Sequence, residues 1–162
     1  MRATGANRLP PGIGDVPVTQ RMNVAKVAPE GYRAVLGLEK YVMGKVDHRL
    51  LELVKLRASM LNGCSFCVDL HGTDALKSGE DVRRVVGLAA WREAPFYSDD
   101  ERAALDLTDA VTRLGDHGVP DDVWDEAVRV LGEEQVADLL LAIATINVWN
   151  RIAITTRAAP PD

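Results

Sequence analysis

The stretch "ELVKLRASMLNGCSFCVDLHG", Glu52 to Gly72, holds both cysteines of the chain and one of its three histidines. Cys64 and Cys67 are three apart, His71 follows four later, and Glu52 precedes the first thiol by twelve. At about 100° per residue, Cys64, Cys67 and His71 fall within roughly 60° of one another on a helix. Cys67 and His71 form an i, i+4 pair, so their side chains can meet. A thiolate, not a thiol, is the reactive form of cysteine. A first-turn position favours the thiolate through free backbone N–H groups and the helix dipole. His71 can take or share the Cys67 proton. Glu52, if folded against His71, can orient the imidazole or receive the proton through it.

Such a site suits peroxide reduction. One thiolate attacks the O–O bond and becomes a sulfenic acid, which the second thiol condenses to a disulfide. An outside dithiol then restores the pair by exchange. The i, i+4 spacing assigns Cys67 as the attacking thiol and Cys64 as the resolving one; thioredoxin-type motifs suggest the reverse order. Two other readings compete. The thiols can be small buried apolar residues, or Glu52, Cys64, Cys67 and His71 can supply four ligands of types that zinc accepts.

Several elements must position these residues. "DHRLLELVKLRASMLNG" reads as a helix capped by Asp47 and stopped at Asn62-Gly63. Its apolar arc covers more than half the circumference, with Glu52 at the edge, partly desolvated beside a cavity. Arg57 falls inside the arc and needs a buried acid or carbonyl partner. A helix from near Cys64 to Gly79 carries the thiols. Further helices are expected from Pro29 to Gly44, from Glu80 or Asp81 to about Trp91, and from the "SDDE" capping box to near Gly115. "PDDVWDEAVRVLG" forms the next, and Glu133 to Thr156 the last, strongly apolar one. No alternating β pattern competes. The expected fold is all-α, a single-domain bundle of six to seven helices over residues 23–158. An extended or flexible Gly/Pro-rich arm (1–22) precedes it and a short tail (159–162) follows.

Composition bounds the function. A chain of 162 residues can bury a sizeable core without disulfide staples. The formal net charge of −5, with Lys and Arg scattered among acids, speaks against nucleic acid or anionic membrane as partner. The N-terminus has no apolar export signal, and Asp138, Asn147 and Asn150 interrupt the most apolar segment, so a cytoplasmic location is expected. There, close cysteines are catalytic, redox-sensing or metal-binding more often than structural. His48 and His117 read as surface residues. Asn147, Asn150 and Arg151 read as a core polar network or subunit contact, and Trp91, Trp124 and Trp149 as core or interface anchors. The apolar last helix predicts burial against a copy of the chain.

An acid, eleven residues, then C-x-x-C-x-x-x-H resembles the alkylhydroperoxidase D-like, or carboxymuconolactone decarboxylase-like, family. "LAAWREAPFYSDDERAALDLTDAVT" and "INVWNRIAI" extend the resemblance over roughly Val24 to Ala158. It implies an all-helical fold, homo-oligomers such as trimers or hexamers, and a proton-relay site made of Glu52, Cys64, Cys67 and His71. It also implies thiol-dependent hydroperoxide reduction in antioxidant defence, without a bound cofactor, fed by a lipoyl-type, thioredoxin-like or other dithiol donor. Ser65-Phe66 stand where the antioxidant branch can carry a second histidine, which puts one relay member in question. The decarboxylase branch lacks this cysteine pair, so decarboxylation is not expected. A redox-responsive oligomer without turnover, or a metal-binding module, are the alternatives.

Overall fold

The computed structural model describes residues 19–160, and most of the expected 1–22 arm lies outside them. Among the described residues there are eight α-helices and no strand: α1 Val24–Val27, α2 Pro29–Met43, α3 His48–Asn62, α4 Ser65–Lys77, α5 Val82–Gly87, α6 Asp99–Thr112, α7 Asp121–Leu131 and α8 Glu133–Thr156. Local chemistry sets most ends. The Asp47 carboxylate accepts from the N–H groups of Arg49 and Leu50 at 3.1 Å each. The Ser98–Glu101 capping box opens α6, and Pro29 takes the first position of α2, where its missing N–H costs nothing.

Helix α3 runs through the middle of the molecule, packed against α4, α6 and α8. Leu51 and Val54 join a core with Leu107 of α6 and Leu139 and Ile143 of α8. Leu53 and Leu56 face a second core built on Leu88, Trp91, Tyr97 and Leu105. A third, smaller cluster holds Ala58, both cysteines, Ile146 and Ala153. Helix α8 is long and apolar enough to cross a membrane by length and composition alone. Its packing against α2, α3, α6 and α7 supplies another reason for that composition: it is flanked by protein on several sides.

Several expectations change. The helix expected to reach Trp91 stops at Gly87 and tightens into a 3₁₀ turn, Leu88–Ala90. Tyr97 donates its hydroxyl hydrogen to the Arg84 carbonyl, which an α-helical Leu88 N–H would otherwise use. Gly87 sits so close to Phe96 that a Cβ there would meet the ring at 3.0 Å. A one-turn helix, α1, was not expected; the Asn23 side chain caps it by accepting from Lys26 N–H. Helix α6 ends at Thr112, short of Gly115. Trp124 stays largely exposed, outside the core, whereas Trp91 is buried as expected.

Candidate functional site

The turn between α3 and α4 builds the thiol pair. Gly63 ends α3 in the left-handed region (φ 69°), which an L side chain enters only at a cost. Gly63 N–H returns to the Met60 carbonyl and Cys64 N–H to that of Ser59, the paired bonds of a Schellman ending. That ending places Cys64 just outside α4 as its N-cap, with its Sγ accepting from Cys67 N–H at 3.4 Å. Stripe arithmetic treats Cys64 as a helical residue; the structure corrects this. The thiols nevertheless converge: their sulfurs lie 2.6 Å apart, close enough to be joined as a disulfide, and both are buried.

His71, one turn beyond Cys67, directs Nδ1 to Glu52 Oε2 at 2.8 Å. Glu52 is buried more deeply than a position at the edge of the apolar arc suggests, at 5% exposure. Burial pushes its carboxyl up, but the His71 hydrogen bond, aided by the charges of His71, Lys55 and His48, outweighs this and holds it below the usual carboxylate range. Glu52 therefore stays ionised as the imidazole's orienting partner. The structure thus brings together Glu52 with His71 and Cys64 with Cys67, the imidazole bonding the acid and the second thiol bonding the first.

The ionisation of the thiols departs from the sequence reading. The hydrogen bond from Cys67 lowers the Cys64 pKa; burial opposes it, and Cys67 N–H and the Asn150 amide add to it, leaving Cys64 at about 7. Cys67 is raised, because bonding to Cys64 stabilises its protonated form, and burial and the neighbouring charge act the same way. So the pair ionises first at Cys64, on the helix cap, while Cys67 keeps its proton. Asn150 and Ser59, both fully buried, act the opposite way and favour the Cys67 thiolate. Asn150 donates to Ser59 Oγ at 3.0 Å and accepts from Asn62 at 2.8 Å. The expected polar network is there, but it forms the floor under the sulfurs. Only its i, i+3, i+4 pattern with Asn147 and Arg151 hinted at it.

Access separates the two sulfurs. Cys67 and His71 open on a cavity of about 450 Å³, whose walls include Tyr32, Glu39, Phe66 and Trp149. Cys64 instead borders a smaller pocket of about 200 Å³ with Ile154 and Arg157. Trp149, expected only as an anchor, lines the larger cavity and donates its indole N–H to Glu39. Residues 20–25 cover the cavity's side, pinned there by Arg21 N–H to the Thr156 carbonyl at 2.8 Å. His48 and His117 are exposed, as expected.

The geometry fits a dithiol better than a chelate. Among the described residues no group of three or more His, Cys, Asp or Glu side chains is placed to hold a metal ion, and Glu52 is already engaged by His71.

A helical bundle in which a buried carboxylate–imidazole couple backs a paired-thiol turn beside an apolar cavity defines a recognisable class of helical dithiol proteins. The chain belongs to the Carboxymuconolactone decarboxylase family, which residues 29–110 match. It is 41% identical over 138 residues to the uncharacterized protein YdfG of Bacillus subtilis (strain 168), covering 85% of this chain and 94% of that one. A solved structure from Agrobacterium tumefaciens, ATU0492, is 40% identical with a TM-score of 0.85, over 89% of this chain and 99% of that one. That protein is of unknown function and has been suggested to be the antioxidant defence protein AhpD. An alkylhydroperoxidase AhpD-core protein from Ralstonia eutropha JMP134, itself an uncharacterized peroxidase-related protein, shares the fold at 22% identity and a TM-score of 0.74, over 86% of this chain and 75% of that one. The family resemblance and the all-helical architecture expected from the motif are thereby borne out.

Proposed function

We propose that the protein is a cytoplasmic, cofactor-free, thiol-dependent hydroperoxide reductase serving antioxidant defence. The observation that carries this reading is the placement of Cys67 and His71 side by side on one cavity, with Cys64 in contact behind. Membership of a family with AhpD-like relatives supports it.

In this reading Cys64 is protonated as substrate enters, the His71 imidazole takes the Cys67 proton, and the Cys67 thiolate attacks the terminal oxygen of ROOH. The S–O bond forms, the O–O bond breaks, and the leaving alkoxide takes a proton from the His71 imidazolium. Cys64 then attacks the sulfenic sulfur; an S–S bond forms and hydroxide leaves as water. The dithiol loses two electrons, the peroxide gains them, and the two thiol protons end on the alcohol and the water. An external dithiol, lipoyl-type or thioredoxin-like, returns the electrons through a mixed disulfide. His71 is the proton donor and acceptor, and Glu52 positions it.

The test is cumene hydroperoxide with dihydrolipoamide, read by turnover and by dimedone trapping. Cys64→Ser should accumulate one dimedone adduct per chain on Cys67, and Cys67→Ser should trap none. An adduct on Cys64 in Cys67→Ser would reverse the order of attack. Stoichiometric oxidation without turnover for every donor would instead favour a redox-responsive protein.

We further propose a homo-oligomer, a trimer or hexamer, because α8 leaves Leu140, Leu141, Val148 and Ile154 exposed along its length. A monomer in light scattering at micromolar concentration would contradict this.

A further inference from the structure

The cavity beside Cys67 holds a charged pair that the thiol chemistry does not use. Lys55, one turn along α3 from Glu52, is 2% exposed, with its ammonium against Glu39 Oε1 of α2. A buried ammonium is tolerated only beside an anion, and the Glu39 carboxylate supplies it. Trp149 donates its indole N–H to the other oxygen, Oε2, at 3.0 Å. A carboxylate offers about four acceptor sites, so these two bonds leave acceptor capacity on a residue that lines the cavity. Lys55 does not line it; the ammonium lies behind the acid. Among the described residues, no Lys or Arg borders the cavity. Its walls are aromatic and aliphatic, with Tyr32 and Trp149 edge-to-face at 5.1 Å and Phe66 alongside. A space of about 450 Å³ far exceeds the needs of hydrogen peroxide and falls in the range of small organic ligands.

We infer that Glu39, held by Lys55, makes this a pocket for neutral or cationic aromatic-sized substrates bearing a hydrogen-bond donor, and a poor one for carboxylates. An apolar body fills the aromatic walls while its donor meets the free lone pairs of Glu39. A carboxylate there meets an acceptor-only anion, and among the described residues no Lys or Arg lines the cavity to offset the repulsion. Glu39 is then a specificity residue, and Lys55 its positioning partner. This rests on the reading above only in taking Cys67 as the atom the substrate must reach.

The experiment is calorimetric titration of the reduced full-length protein, without peroxide, by three probes of one shape: 4-isopropylbenzyl alcohol, 4-isopropylbenzylammonium and 4-isopropylbenzoate. The benzoate should bind at least about tenfold more weakly than the alcohol, and the ammonium at least as tightly as the alcohol. In the double variant Glu39→Gln/Lys55→Met, which removes both charges and strands neither, the three should agree within about threefold. Benzoate binding as tightly as the alcohol in the parent, no binding of any probe, or a tenfold gap surviving in the double variant would overturn the inference. The parent ranking decides by itself should the double variant not fold. Turnover with cumene hydroperoxide without this ranking removes the specificity inference alone; the ranking without turnover removes the peroxidase reading alone.

Discussion

Helix α3 buries charge on two of its faces, and the two burials are of different kinds. On one, Arg57 donates Nε and Nη2 to the two oxygens of Asp109 at 2.6 and 2.9 Å. Its remaining nitrogen reaches the carbonyls of Leu88 and Ala89, and Trp91 donates its indole N–H to the same aspartate. On the other, Glu52, Lys55 and Ser59 serve a region where valences remain: Cys67, His71 and Glu39 all line a cavity. The first cluster closes on itself and braces the joint between α3, α6 and the turn after α5. The second leaves acceptors, a thiol and an imidazole facing space that a ligand can fill. Buried polarity is structural where every donor finds its acceptor within the fold. It becomes a candidate for chemistry where part of the set points into a void.

Breaking the closed cluster gives the largest expected effect on stability. Asp109→Ala leaves the Arg57 guanidinium without its anion, and removing one partner of such a pair costs about 3–5 kcal/mol. Denaturant unfolding should show this loss, while turnover per folded molecule stays within about threefold of the parent. A variant of unchanged stability would mean that the cluster is not the brace its geometry suggests.

The open site yields to a gentler change. Glu52→Gln keeps an oxygen able to accept from His71 Nδ1 but removes the charge that holds the imidazolium. A loss of about 100-fold in kcat/KM is expected, the low end for a displaced acid–base partner, with the folded population unchanged. Equal activity in this variant would reduce Glu52 to a buried acid satisfied by a histidine, an open-site residue behaving like the closed cluster.

The contrast was only half legible in the sequence. Arg57 inside an apolar arc announced its need for a partner, and the C-x-x-C-x-x-x-H spacing with Glu52 announced the site. Short-range rules also gave the Asp47 cap, the Asn62-Gly63 stop and the span of α8, because each depends on neighbours within a turn. Other features depend on which helices cross. Glu39 is an ordinary helix acid until α2 packs so that it meets Lys55 and Trp149, and Asn150 looks like core polarity until α8 brings it under the sulfurs. Cys64 was misplaced for a local reason: two helices share the three residues Asn62, Gly63 and Cys64, so a single helical wheel carried across the turn treats a cap as a helix residue. The expected attack by Cys67 came instead from its i, i+4 spacing to His71, which carries no information on the Cys67 N–H that the cap sulfur receives.

Asn150→Ala sharpens the comparison at its finest scale. In the closed cluster an amide-to-alanine change would alter stability alone; beneath the thiols it should also move a titration. The Cys64 thiol, at about 7, lies well below an ordinary thiol, so its alkylation rate should rise with pH through about 7 and level off above it, where a normal thiol is still gaining. Asn150 favours the thiolate of both cysteines. A hydrogen bond to a charged acceptor is worth about 1.5–3 kcal/mol, and sulfur accepts more weakly than oxygen. Deleting the amide should therefore raise the alkylation midpoint by roughly one pH unit, equivalent to about 1.4 kcal/mol. The direction is fixed because losing a donor to the anion favours the protonated form. Iodoacetamide alkylation of the reduced protein between pH 5 and 9 measures it. An unmoved midpoint alongside a lower unfolding free energy would assign Asn150 to the structural class and leave the backbone N–H of Cys67 and the Cys67 thiol as the supports of the Cys64 charge.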